Sequence, residues 1–178
     1  MEQGNHNGRV VVLTGNGKGK TTTSLGLALA AAGRGKRVFM VQFIKGPESS
    51  GEHRSLPLLE PNLSIEPMGE KNSCLKPSYE DMDHKLARGA LFEARLAMDS
   101  GEYDMLVLDE ANVAVAMGLV DLDQLLEFIE AKPSAMELVI TGRWASPLVA
   151  DRADRVIEMR KVKHTFDHGG PATRGIEF

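Results

Sequence analysis

The segment Gly15-Asn16-Gly17-Lys18-Gly19-Lys20-Thr21-Thr22 stands directly after the apolar run Val10-Val11-Val12-Leu13 and directly before a helix-forming stretch. A strand that turns through glycines into a helix aims successive backbone N–H groups, and the positive end of the helix dipole, at one point. Such a turn suits a polyphosphate. Lys20 adds a positive charge and Thr21 a hydroxyl for magnesium, so Gly15, Asn16, Gly17, Lys18, Gly19, Lys20, Thr21 and Thr22 are the expected nucleotide-binding residues. The usual spacing carries a glycine at the position held here by Thr14, so this loop is either shortened or shaped differently.

A chain of 178 residues is most economically one domain with a real core, here residues 9–178 behind a polar arm at 1–8. The net charge of −4 gives no electrostatic reason to expect a nucleic-acid partner. The arm has no apolar centre of a leader peptide, and no run approaches the roughly 20 apolar residues of a membrane span. One cysteine, Cys74, excludes an internal disulfide and fits a reducing cytoplasm. Along the chain, strands are expected at 10–13, 37–43, 63–68, 105–108, 138–141 and 155–159. Helices are expected at 22–32, from a capping start at Pro77-Ser78-Asp81 to Gly101, over 122–129 and over 146–152. The helix at 22–32 is nearly all apolar and should be buried on most sides. In the next one, Met82, Leu86, Ala90, Ala94 and Ala97 share a face. The stretches 46–56, 69–77 and the tail from 161 look irregular. Alternating strands and helices imply an α/β fold, a doubly wound and mostly parallel sheet of about six strands with its site at the carboxyl ends of the strands.

Several chemistry-bearing residues fall at those ends. Asp109-Glu110 follows Met105-Leu106-Val107-Leu108, where a phosphate-binding protein holds its magnesium, so Thr21, Asp109 and Glu110 are the metal candidates. Neighbours in extended chain face opposite ways, which leaves only one of the two carboxylates as the close ligand. Arg143, after Thr141-Gly142, stands either at the phosphate rim, where it neutralises leaving-group charge, or simply on the surface. Gln42, Lys45 and Gly46 end the second strand and are weaker candidates. His164, Asp167 and His168 lack a second ligand cluster, and Cys74 lacks a base, so neither set reads as a metal site or a nucleophile. These residues reach magnesium-nucleotide binding and leave kinase, ATPase and alkyl transfer open.

The wider pattern goes further. Thr14 through Thr22, Val41-Gln42-Phe43-Ile44-Lys45-Gly46, Val107-Leu108-Asp109-Glu110, Ile140-Thr141-Gly142-Arg143, Ala153-Asp154-Arg155-Val156 and Lys163-His164 through Gly175-Ile176-Glu177 occur in that order. Together they resemble the P-loop family of ATP:corrinoid adenosyltransferases, whose loop also has the shortened form with Thr14 at the glycine position. The resemblance implies a P-loop NTPase, RecA-like architecture, with Mg2+ as cofactor and ATP and a cob(I) corrinoid as substrates. It also implies adenosyl transfer with release of tripolyphosphate, a homodimer, and an electron-donating flavoprotein reductase as partner. Lys20, Glu110 and Arg143 then become the catalytic residues. A Gly-Phe-Thr-Trp-like stretch that many members carry after Met68-Gly69 is replaced here by Glu70 through Pro77, and the amino-terminal arm is short. Both departures concern the corrinoid. The rival readings are a small-molecule kinase or NTPase, and a binding module without turnover.

Overall fold

Runs of four or five residues rich in Val, Ile, Leu and Met form the strands. In this structure, a computed structural model describing residues 7–47, 51–70 and 79–163, they are β1 (Val10–Thr14), β2 (Val38–Gln42), β3 (Leu63–Pro67), β4 (Met105–Asp109), β5 (Glu137–Thr141) and β6 (Arg155–Glu158). They make one sheet in the order β3-β2-β4-β5-β1-β6, with every neighbouring pair parallel. The expected mostly parallel sheet is thus wholly parallel among the described residues. Parallel strands need crossovers, and these run through α1 (Lys20–Ala32), α2 (Glu52–Ser55), α3 (Asp81–Ser100), α4 (Ala111–Ala116), α5 (Leu122–Glu130) and α6 (Pro147–Asp151).

Side chains alternate across each strand, so the sheet builds two cores. Leu106 and Leu108 of β4, with Leu138 and Ile140 of β5, join Ala87, Ala90 and Ala94 of α3 and Leu125 and Phe128 of α5 on one face. Met105, Val107 and Val139 join Ala28 and Ala32 of α1 on the other. The alanine stripe of α3 brings that helix close to β2 and β4; a larger side chain there would overpack by about 1–3 kcal/mol. Among the described residues, no helix is long and apolar enough to cross a membrane.

Several local expectations are corrected. The helix over 22–32 is not buried on most sides: α1 buries Lys20, Ser24, Ala28 and Ala32, while Leu27 and Leu29 are 41% and 52% exposed. Its composition is apolar all round, but it lies on the sheet along one stripe only. The capping start moves from Pro77-Ser78 to Glu80, whose side chain caps the first turn of α3 while its backbone N–H donates to the Asp83 carboxylate at 2.9 Å. Met82 is consequently exposed, and the buried stripe is Ala87, Ala90, Ala94, Ala97 and Met98. α2 lies within the stretch expected to be irregular, and α4 follows Glu110 without a break. Gly8, expected in the arm, is bound to the Ser134 carbonyl and accepts from Lys132 Nζ. Cys74, Pro77, Ser78, His164, Asp167 and His168 lie outside the described residues.

At the amino end of β1, Asp154 accepts the Val10 N–H at 2.7 Å, and its own N–H donates to the Val10 carbonyl at 2.9 Å. One residue therefore fastens β6 to β1. Asp154→Ala is expected to cost about 1–2 kcal/mol, because it strips a charged acceptor from a backbone donor. At roughly 2–4 °C per kcal/mol for a chain this size, a thermal melt reads the change directly.

Candidate active site

All strands being parallel, their carboxyl ends share one rim, and the glycine loop crosses it between β1 and α1. Gly19 (φ 101) caps α1, and the Thr23 N–H already bonds the Gly19 carbonyl at 2.8 Å. Lys20 is buried and curls back, donating from Nζ to the carbonyls of Gly15 at 2.9 Å and Gly17 at 2.8 Å. The loop is also pinned from beneath, since the Gly17 N–H donates to the Met159 carbonyl at 2.6 Å. Only glycine fits there: a Cβ on Gly17 would stand 2.7 Å from that oxygen, and one on Gly15 (φ 94) 2.5 Å. Thr14, at the unusual position, extends the anchoring. Its carbonyl accepts the Met159 N–H at 2.8 Å and its hydroxyl the Ala145 N–H at 3.4 Å. Asn16, Lys18 and Thr22 face solvent along the loop.

Asp109 is fully buried, and its carboxylate organises the rim. One oxygen accepts from the hydroxyls of Thr21 at 2.9 Å and Thr141 at 2.8 Å; the other accepts from Gln42 Nε2 at 3.1 Å and faces Lys45 Nζ at 3.2 Å. Lys45 also lies 3.4 Å from Glu52, which accepts from Gln42 at 3.2 Å, and Gln42 Oε1 meets His53 Nε2 at 2.6 Å. Burial alone would lower the pKa of Lys45, but Asp109 and Glu52 more than offset it and hold the lysine firmly charged. Sequence reasoning gave Gln42 and Lys45 little weight, and it missed Glu52, His53 and the role of Thr141. The signal for Thr141 was its place beside Asp109 at a strand end; Glu52 and His53 gave none.

The extended geometry assumed across Asp109-Glu110 does not reach Glu110. β4 ends at Asp109, and Glu110 takes a left-handed backbone (φ 62), held by the Thr141 hydroxyl accepting its N–H at 2.9 Å. Both residues stand at the carboxyl end of β4, where the strand gives way to α4. Burial first, then the neighbouring Asp109, raise the pKa of Glu110, against the pull of Lys20, Lys45 and Arg143. Lys20 in turn is lowered by burial and by Arg143, against Glu110 and Asp109. Lys20, Asp109, Glu110 and the exposed Arg143 all follow or end strands at the carboxyl edge of the sheet, after β1, β4 and β5. Trp144 (φ 58, 54% exposed) follows Arg143. Among the described residues, it and Glu110 are the two non-glycine residues with positive φ, so backbone strain concentrates here, as it does at functional sites. Beside it, the buried Asn112 amide has no hydrogen-bond partner, and a Cβ on Gly142 would stand 2.9 Å from its Cβ.

The donors fit a hard cation. Thr21 and Asp109 already touch, and hydroxyl and carboxylate oxygens suit magnesium, which keeps part of its shell for phosphate and water. Among the described residues no group of three His, Cys, Asp or Glu side chains forms a self-sufficient metal site, so phosphate oxygens would complete the shell.

Comparison with known proteins supplies the chemistry. Residues 6–178 match the family described as ATP:corrinoid adenosyltransferase BtuR/CobO/CobP. A corrinoid adenosyltransferase of Escherichia coli K12 is 34% identical over 96% of this chain and 86% of its own. Corrinoid adenosyltransferase CobA of Salmonella typhimurium is 36% identical over the same shares, and the Pseudomonas aeruginosa enzyme is 36% identical over 81% of this chain and 70% of its own. Among solved structures, a KaiC-like protein from Pyrococcus horikoshii superposes with TM-score 0.58 at 14% identity, covering 88% of this chain and 75% of its own. The flagellar accessory protein FlaH from Methanocaldococcus jannaschii gives 0.56 at 15% identity, covering 85% and 71%. These two bear on the fold alone, a parallel α/β sheet flanked by helices.

The raised carboxyl of Glu110 carries a stability consequence. A folded pKa above the ordinary carboxylate value means that the folded state holds this proton more tightly than the unfolded one. Stability is then lost as pH rises through the window between the two values. Glu110→Gln, which has no charge to desolvate, is expected to melt a few degrees higher than wild type at neutral pH, and the gain should vanish below the carboxylate range. Melts of both proteins across that window check it; a lower midpoint for the variant at neutral pH contradicts it.

Proposed function

The chain belongs to the ATP:corrinoid adenosyltransferase family, a family of transferases, and from that premise we propose its particular reaction. It moves the 5′-deoxyadenosyl group of ATP to the cobalt of a cob(I) corrinoid and releases tripolyphosphate, in adenosylcobalamin biosynthesis or corrinoid salvage. The observation that carries this reading is the geometry at Lys20-Thr21-Asp109, a phosphate cradle joined to a hard-cation site.

The electron pair of cob(I) forms the cobalt–C5′ bond. The C5′–O bond breaks, its pair leaves on the triphosphate, and cobalt ends formally as cobalt(III). Because cob(I) is a strong nucleophile, the step needs orientation and charge stabilisation more than a general base. The loop N–H groups other than that of Gly17, which the Met159 carbonyl already engages, hold the leaving triphosphate together with Lys18 and Lys20. Lys20 does so by exchanging its contacts with the Gly15 and Gly17 carbonyls for phosphate oxygens. Thr21, Asp109 and Glu110 hold the metal, and Arg143 takes up charge at the open side of the rim. Magnesium, when bound, neutralises the phosphate charge that builds as the C5′–O bond breaks.

We further propose that the protein works in the cytoplasm as a homodimer and receives electrons from a flavoprotein reductase, the partners that the family resemblance implies. The replacement of the aromatic stretch by 70–77 bears on which corrinoid is accepted. Trp144, the chain's one tryptophan, offers an intrinsic fluorescence reporter at the same rim.

Incubating the protein with ATP and chemically reduced cob(I)alamin should yield adenosylcobalamin and tripolyphosphate in equal amounts. ADP without tripolyphosphate would point instead to the kinase or NTPase reading, and ATP bound but unconsumed to a module without turnover. Lys20→Ala is expected to lower the rate by about 100-fold or more, since it removes a cation aimed at the leaving group. A variant as active as wild type would remove Lys20 from the site.

A further inference from the structure

Lys45 Nζ sits among three oxygens from three elements: Asp109 Oδ2 of β4 at 3.2 Å, Thr21 Oγ1 of α1 at 3.4 Å, and Glu52 Oε1 of α2 at 3.4 Å. Two of these oxygens belong to residues that the proposed function gives to the metal. We propose that Lys45 is a built-in counter-ion that occupies the metal's place in the nucleotide-free protein and vacates it when metal and nucleotide arrive together. The inference rests on the metal assignment above and adds a device that keeps metal out until nucleotide is present.

The reason is the charge on Asp109. A fully buried carboxylate is costly without a cation beside it. Hydroxyls of Thr21 and Thr141 and the amide of Gln42 satisfy its lone pairs, but all three donors are neutral. Lys45 is the cation in ion-pair contact with it. Lys20 is engaged elsewhere, on the loop carbonyls, so the two lysines have separate duties.

The lysine and the metal exclude each other. Magnesium draws its oxygens to about 2.0–2.1 Å. The three oxygens around Lys45 stand more than 3 Å from its nitrogen, and a divalent ion placed among them would also meet the ammonium's charge at contact distance. The side chain can leave without dragging the fold. Its backbone is held where it follows β2, the carbonyl accepting the Gly69 N–H at 2.9 Å, so the flexible four-carbon stem does the moving. Glu52 remains within reach as a second partner, and phosphate oxygens offer a third. Metal binding is thereby tied to nucleotide binding, because the arriving triphosphate completes the metal shell and accepts the displaced ammonium.

Manganese(II) serves as the probe, with free Mn2+ read by electron paramagnetic resonance. Without nucleotide, Lys45→Met is expected to bind one Mn2+ at least about tenfold more tightly than wild type, since a buried carboxylate then lacks its cation. The added Asp109→Asn change should abolish that gain. Glu52→Gln, which loosens the lysine's hold without removing it, should shift affinity the same way by a smaller factor, and it keeps the test open if Lys45→Met does not fold. Lys45→Arg, which keeps a cation there, should bind no better than wild type. Equal Mn2+ affinity in wild type, Lys45→Met and Glu52→Gln would overturn the proposal, as would a gain that survives Asp109→Asn. Titrating wild type and Asp109→Asn with Mn2+ and ATP together tests the metal assignment separately: if Asp109→Asn binds as wild type does, that assignment fails whatever Lys45 does.

Discussion

The buried carboxylate of Asp109 is the interaction on which the rest of the site depends. Its two oxygens collect donors from α1, β2 and β5 and the ammonium of Lys45, so a single charge ties together three strands, a helix and a loop. Water cannot reach it, and each donor substitutes for a lost hydration contact. The sheet makes this possible. Parallel pairing puts Gln42 opposite Asp109 in register, and Thr141 ends β5 next door. The position of Thr21 one residue into α1 then brings the loop to the same point.

The unusual Thr14 acquires a physical role in the same frame. A glycine there would lack the hydroxyl that accepts the Ala145 N–H, and the loop would lose a tether to the segment bearing Arg143 and Trp144. The cradle is therefore fastened on both sides, to Met159 just past β6 and to Ala145 beyond the β5 rim. What looks like a departure from the usual spacing is an additional attachment.

Much of this was legible in the sequence because the relevant signals are local. A strand running into glycines and then Gly-Lys-Thr, or into Asp-Glu, declares itself within ten residues, and parallel topology brings all such strand ends together. What stayed hidden depended on contacts between distant segments. Lys45 looked like any loop lysine until β4 placed a buried carboxylate beside it, and Glu52 and His53 sit in a stretch without periodicity. At Glu110 extended geometry was assumed one residue too far; the chain turns left-handed there and opens α4. Composition made α1 look buried all round, but the surface a helix buries is decided by what lies against it, and α1 has the sheet on one side only.

The bond from Gly17 to Met159 also has a consequence for biogenesis. The cradle lies near the beginning of the chain, and its floor is supplied just past β6, the final strand of the described residues. A nascent chain emerging from the ribosome therefore carries the glycine loop long before it carries the carbonyl that braces it. The first βα unit can form early, but its loop keeps an unbraced backbone until the closing edge strand docks. Nucleotide can then act as a late-stage ligand for folding, selecting chains whose last strand has found its place and ignoring those still in progress.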